Sequence, residues 1–234
     1  MRSRAERVKR TELEIPTGRF IEIRVGPSCR VFHVHEHTLR ASSTFFDAAM
    51  SNGWKESRER VVNLPKDDPD VFAKYVFWIY RNQLATRTTY DNWDYEDNPE
   101  YMTLAELFVL GEKLQDASFK NDVVDAITKK RWLEGHQICW ASIGFLSRYL
   151  YKNTVSGSAI RRLLVDVCVE FAEPDWPAKW AEQKVMTKDF LIDLSIALLR
   201  QRVAAADEDV SPPGFLCNNC IYHEHEKGTD CTRR

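Results

Sequence analysis

The chain has 234 residues, 44% of them hydrophobic and 12% aromatic, enough to bury a substantial core as one domain or two small ones. Lys plus Arg number 33 against 35 for Asp plus Glu, a net charge of -2, which excludes the broad positive field of a generic nucleic-acid coat. No apolar run approaches the roughly eighteen residues of a membrane span, and the charged MRSRAERVKR opening lacks the apolar stretch of a signal peptide, so an intracellular protein is expected.

Residues 1–16 are basic and aperiodic and read as a disordered lead; an arm of this kind either stays solvated or serves as a nuclear address. From Phe20 to Val25 apolar and polar residues alternate up to a Gly26-Pro27-Ser28 turn, and a second alternating run follows from Cys29 to Val34, which predicts a β-hairpin. Thr38 to Met50 predicts two short helices broken at Ser42-Ser43, and Glu59 to Leu64 a further strand stopped by Pro65. Asp68 before Pro69 is a helix start, with the carboxylate accepting from open backbone N–H groups and proline suiting the first helical position. The helix Pro69 to about Arg81 is apolar almost all round and is expected at the centre of the core.

Arg87 to Glu100 reads as an acidic, aromatic loop insertion. Thr103 and Glu106 have the spacing of a capping box, stapled by Met102 and Leu107, and predict a helix running to Leu114. Phe119, Val123, Val124 and Ile127 continue the stripe in another helix. Ile143 to Tyr151, Ile160 to Phe171 and Phe190 to Val203 predict a helical extension, separated by 154–157 and 173–177, before the chain reaches a linker at 211–214. Four segments are therefore expected: a lead at 1–16, a domain at 17–130, helices at 131–206, and a linker with a Cys/His tail at 207–234.

Strands early and helices after make an α+β plan. The run Phe32-His33-Val34-His35 with Thr38-Leu39 and then Ser42-Ser43-Thr44-Phe45-Phe46, the strand ending Leu64-Pro65, and the helix with Phe72, Tyr75, Trp78, Ile79 and Tyr80 together resemble the BTB/POZ domain, in the variant common in filamentous fungi. The resemblance covers roughly Thr17 to Lys129. It implies a short mixed sheet packed with helices, no catalytic residues, and a protein-interaction module that is often a homodimer and in many members bridges a substrate to a cullin-type ubiquitin ligase. In cullin-binding members an apolar residue, any residue and Glu follow the paired-aromatic helix, and Trp54-Lys55-Glu56 stands there: a large apolar knob beside a carboxylate that can fix orientation by a charge-assisted hydrogen bond. Arg19 falls where many animal members carry an Asp that supports dimerisation. No kelch repeat or zinc-finger array follows the helices.

His33, His35 and His37 alternate, as a His-x-His metal pair would on a continuous strand, but the chain must leave strand geometry near Glu36, and the resemblance gives His35 a packing and capping role. In the tail, Cys217, Cys220, His223, His225 and Cys231 place five zinc-type ligands within fifteen residues. The preferred structural zinc set is Cys220, His223, His225 and Cys231; the competing set uses Cys217 in place of one histidine, and incidental cysteines in a disordered tail are the alternative to both. A tail too short and polar to fold on apolar burial would gain most from a metal, and four protein ligands would leave no place for a substrate. Trp132 and Trp140 are expected to join the two halves as core, and Cys29, Cys139 and Cys168 to sit within apolar runs with no reactive role. The reading that follows is a non-catalytic adaptor or scaffold; the alternative is a transcription-associated regulator with a small zinc-binding tail.

Overall fold

A computed structural model describes residues 18–51, 53–87, 99–132, 139–206 and 219–225. Alternation from Phe20 to Val25 builds β1 (Phe20–Val25), which sends Ile21, Ile23 and Val25 into the core with no residual exposure. β2 (Arg30–His35) pairs antiparallel with it, Phe20 opposite His35 and Val25 opposite Arg30. The turn between them depends on Gly26, whose φ is +76° and whose position would bring a Cβ to 2.8 Å from the Pro69 ring. Cys29 takes a left-handed conformation there (φ 51°) and is exposed, so it does not sit in an apolar run.

The chain then makes a helical crossover, as a parallel return strand requires. α1 (Glu36–Ser42), α2 (Thr44–Ser51) and α3 (Lys55–Glu59) lead into β3 (Val61–Leu64), which lies parallel to β1 with Glu22 opposite Val61 and Val25 opposite Leu64. The strand order is β2-β1-β3, a short mixed sheet. α3 lies between the paired-aromatic helix and β3, where the sequence pattern predicts no element.

α4 (Pro69–Arg81) starts as its sequence requires: the Asp68 carboxylate accepts from the N–H groups of Asp70 (2.7 Å) and Val71 (3.3 Å). It is buried along one face only, Val71, Phe72, Tyr75 and Trp78, while Phe77 and Tyr80 reach solvent, which corrects the expectation of a helix enclosed all round. α5 (Pro99–Leu114) begins at Pro99, so Thr103 lies a full turn inside the helix and the expected capping box does not form. Glu100, assigned by sequence to a solvated loop, is instead buried in the first turn, its carboxylate 2.5 Å from Lys130 Nζ and accepting from the Thr86 hydroxyl at 2.6 Å. Most of the acidic aromatic stretch lies outside the described residues.

α6 (Ala117–Trp132) is followed by α7 (Trp140–Asn153), α8 (Ala159–Phe171), α9 (Trp176–Gln183) and α10 (Lys188–Ala206). α9 arises where a separator is expected. Its Trp176 and Trp180 are buried, and Trp180 Nε1 donates to the Trp140 carbonyl at 2.7 Å, so the aromatics drive a helix from a Pro-rich sequence. Trp140 packs against this core; the Trp132 side chain lies outside the described residues. One contiguous apolar cluster runs from Ile21 through α5 to Leu194. Among the described residues no helix is long and apolar enough to cross a membrane.

Candidate interaction surface

The first half of the domain is tied to α5 and α6 by three consecutive hydroxyls. Ser42 donates to the Asp116 carboxylate, Ser43, fully buried, donates to the Leu114 carbonyl (2.5 Å), and Thr44 donates to the Gln115 side chain (2.8 Å). The Ser43 hydroxyl also accepts from Phe46 N–H at 3.3 Å, which caps α2. Asp116 accepts further from the Tyr75 hydroxyl (3.0 Å) and from Phe119 N–H, and burial raises its pKa. With this corner fixed, α2 delivers the chain to residues 53–56 in a defined place.

Gly53 takes φ +64° with open space around it, and Trp54 follows in extended geometry as the residue preceding α3. The Trp54 carbonyl accepts from Arg58 N–H at 3.1 Å, and the Ser57 hydroxyl donates to the Met50 carbonyl at 2.9 Å, so α3 is anchored to the end of α2. Its anchoring leaves the indole 62% exposed, the largest aromatic on the described surface, with Lys55 exposed and Glu56 half-buried beside it. Trp54, Lys55 and Glu56 are thus brought together at one helix start, and the indole does not fold back on the core. An exposed Trp next to a carboxylate is chemically suited to fill an apolar pocket on another protein and fix its orientation by one charged contact.

An ionic network braces the region behind it. Arg40 pairs with Glu36 (3.2 Å) and Asp47 (2.8 Å) and donates to Ser51 (2.8 Å), while Arg60 reaches Glu36 from the other side. Arg60 foremost, with Arg40 beside it, holds the Glu36 carboxyl below its ordinary range against an opposing desolvation effect. The neighbouring surface is an open depression of about 430 Å³ lined by Arg19, Glu36, His37, Arg40 and Asp47.

The alternating histidines are separated by the end of the strand. His33 stands opposite Glu22, His35 Nδ1 lies 2.8 Å from the Tyr80 hydroxyl with its ring 4.3 Å from that of Phe20, and His37 is exposed on α1. His35 therefore packs as expected, but although it precedes α1 its side chain makes no capping hydrogen bond, so the expected capping role is not seen.

The model of the BTB/POZ domain family matches residues 21–124. These residues form a BTB/POZ domain. The match begins in β1 and ends within α6, so it takes in the three-stranded sheet, the Ser42–Thr44 corner and the exposed Trp54. A BTB/POZ domain is a protein-interaction module, which accords with a surface that offers an aromatic anchor. Comparison with curated proteins finds no match.

In the tail, Cys220 Sγ lies 3.1 Å from His225 Nε2, and the rings of His223 and His225 are 5.8 Å apart, centre to centre. His223 Nε2 is turned to Asp125 at 2.8 Å. Among the described residues no group of three or more His, Cys, Asp or Glu is arranged to hold a metal ion. Cys217 and Cys231 lie outside the described residues. Sequence reasoning did not foresee that this tail docks: Tyr222 is buried and donates to Asp166 on α8. The only prior signal was a tyrosine and an isoleucine in an otherwise polar run.

Proposed function

We propose that the protein is a non-catalytic adaptor whose BTB/POZ domain inserts Trp54 into a cullin-type scaffold, with Glu56 fixing the orientation, while the helices beyond α6 carry whatever is recruited. The observation that carries this reading is the exposed indole at the start of α3, held out by Gly53 rather than folded inward. Capture of a cullin from purified components tests it: wild-type protein retains the cullin, and Glu56→Lys abolishes retention while changing fold stability by less than about 0.5 kcal/mol, as expected for a surface site. A wild-type chain that retains none removes the cullin reading. The exposed Phe20, next to Arg19, and Val31, towards the turn end of the same hairpin, support a homodimer, checked by light scattering as twice 27.3 kDa at micromolar concentration.

The second reading is a transcription-associated regulator whose tail holds structural zinc, and the closeness of Cys220 Sγ to His225 Nε2 favours it. Metal analysis of protein purified without added zinc decides it. About one equivalent supports the site, and less than about a tenth of an equivalent removes it.

A further inference from the structure

Residues 219–225 rest in a groove between α6, at the end of the BTB/POZ domain, and α8 of the helical extension. Tyr222 fills the apolar bottom, and its hydroxyl donates to Asp166 on α8 at 2.6 Å. Two residues on, the Glu224 carboxylate meets Lys120 Nζ of α6 at 2.5 Å. Asn121 reads the backbone at that same residue from both sides: its amide Nδ2 donates to the Glu224 carbonyl (3.0 Å), and its Oδ1 accepts from Glu224 N–H (2.8 Å). His223 faces Asp125, and Arg162 donates to the Ile221 carbonyl at 3.3 Å.

We propose that this groove is a recognition site for short peptides of the form Tyr-x-Glu, and that the chain's own residues 219–225 occupy it in cis. The argument rests on how the contacts are divided. Every group that reads the segment comes from α6 or α8, and the segment, a 3-10 turn over Asn219–Tyr222 that runs on to Glu224, is read by one pocketed side chain, one charge and a backbone clamp. The groove also remains satisfied without its occupant. Lys120 keeps Glu112 of α5 at 3.6 Å, Glu112 keeps the Ser158 hydroxyl at 3.2 Å, and Asp166 keeps the charge of Arg162, so vacating it strands no buried ion. The site lies outside the Trp54 surface and does not depend on the adaptor reading.

The test uses the full chain and a fluorescein-labelled peptide of residues 219–225 carrying Cys220→Ser to prevent oxidation, with binding read by anisotropy. The chain with Tyr222→Ala, whose tail has lost its anchor, binds the peptide saturably. The wild-type chain binds it at least about tenfold more weakly, because its own tail competes at an effective concentration on the order of mM. Adding Asn121→Ala to the opened chain lowers affinity about tenfold through loss of the clamp, and a peptide in which the tyrosine is alanine does not bind. Glu224→Arg, a change at an exposed side chain that reverses the charge facing Lys120, opens the groove independently of the buried tyrosine and gives the same result if Tyr222→Ala impairs folding. Failure of the peptide to bind either opened chain at unchanged circular dichroism, or binding indifferent to Asn121→Ala, overturns the proposal and leaves the segment a fixed strap.

Discussion

Ser42, Ser43 and Thr44 aim three hydroxyls at the corner between α5 and α6, where Asp116 accepts from Ser42, Tyr75 and the Phe119 N–H. The serine-rich break between α1 and α2 was legible in the sequence, but its purpose was not, because the partners lie some seventy positions downstream and leave no local pattern. Glu36 is the residue whose ionisation is most open to test. Its pKa is lowered in the fold from 4.5, so between the lowered value and 4.5 the unfolded chain binds more protons than the folded one. The stability it contributes is present above about 4.5 and is lost as the pH falls through the lowered value. Asp116 runs the other way: burial raises its pKa above 3.8, so the fold holds that proton more readily, and the resulting stability is greatest in acid and fades as the pH rises through the raised value. Glu36→Gln therefore destabilises the protein at about pH 6, and the difference from wild type narrows by about pH 4. Urea unfolding midpoints at the two pH values check it, and an equal difference at both would show that the Glu36–Arg60–Arg40 network does not act through charge.

Among the elements, the helices separate what local pattern decides from what packing decides. α4 follows its cap and its proline to the residue, because Asp68 finds its donors within three positions. α5 ignores an equally plausible local motif at Thr103 to Glu106, since Pro99 starts the helix four residues earlier and carries Glu100 and Tyr101 into the core, where Lys130 awaits the carboxylate. That partner on α6 is what the sequence did not display. Replacing Asp68 by alanine accordingly costs about 1 kcal/mol in thermal or chemical melts, whereas Thr103→Ala, inside the helix, stays within about 0.5 kcal/mol. Comparable losses from the two substitutions would restore Thr103 as a cap. The short helices α3 and α9 escaped sequence reading for other reasons: the five residues of α3 hold too few turns for an apolar period to emerge, and α9 begins inside a proline-containing run that reads as a separator, yet both form because neighbours fix them, Met50 and Ser57 for α3 and the Trp140 carbonyl for α9.

Across the whole molecule, the BTB/POZ domain and the following helices share one apolar cluster, with α7 against α5 and Gly144 of α7 so close to Val185 that a Cβ would stand 2.5 Å from its methyl. The α+β plan and the order of elements could be read from alternation, turns and caps. The exposure of Trp54 could not, because an aromatic after a glycine is compatible with burial until α3 is placed. The docking of Tyr222 was equally hidden, since its pocket is assembled from α6 and α8. The proposed adaptor role rests on the exposed Trp54 at the start of α3, and that side chain is where the proposal is most exposed to failure. Titration of the full-length protein with the N-terminal region of a cullin, followed by calorimetry, tests it most directly. Saturable binding by the wild type that weakens by about 2 kcal/mol or more on Trp54→Ala, at an unchanged melting temperature, is the predicted result, whereas binding that keeps its affinity after Trp54→Ala, or a wild-type protein that does not bind, would contradict it.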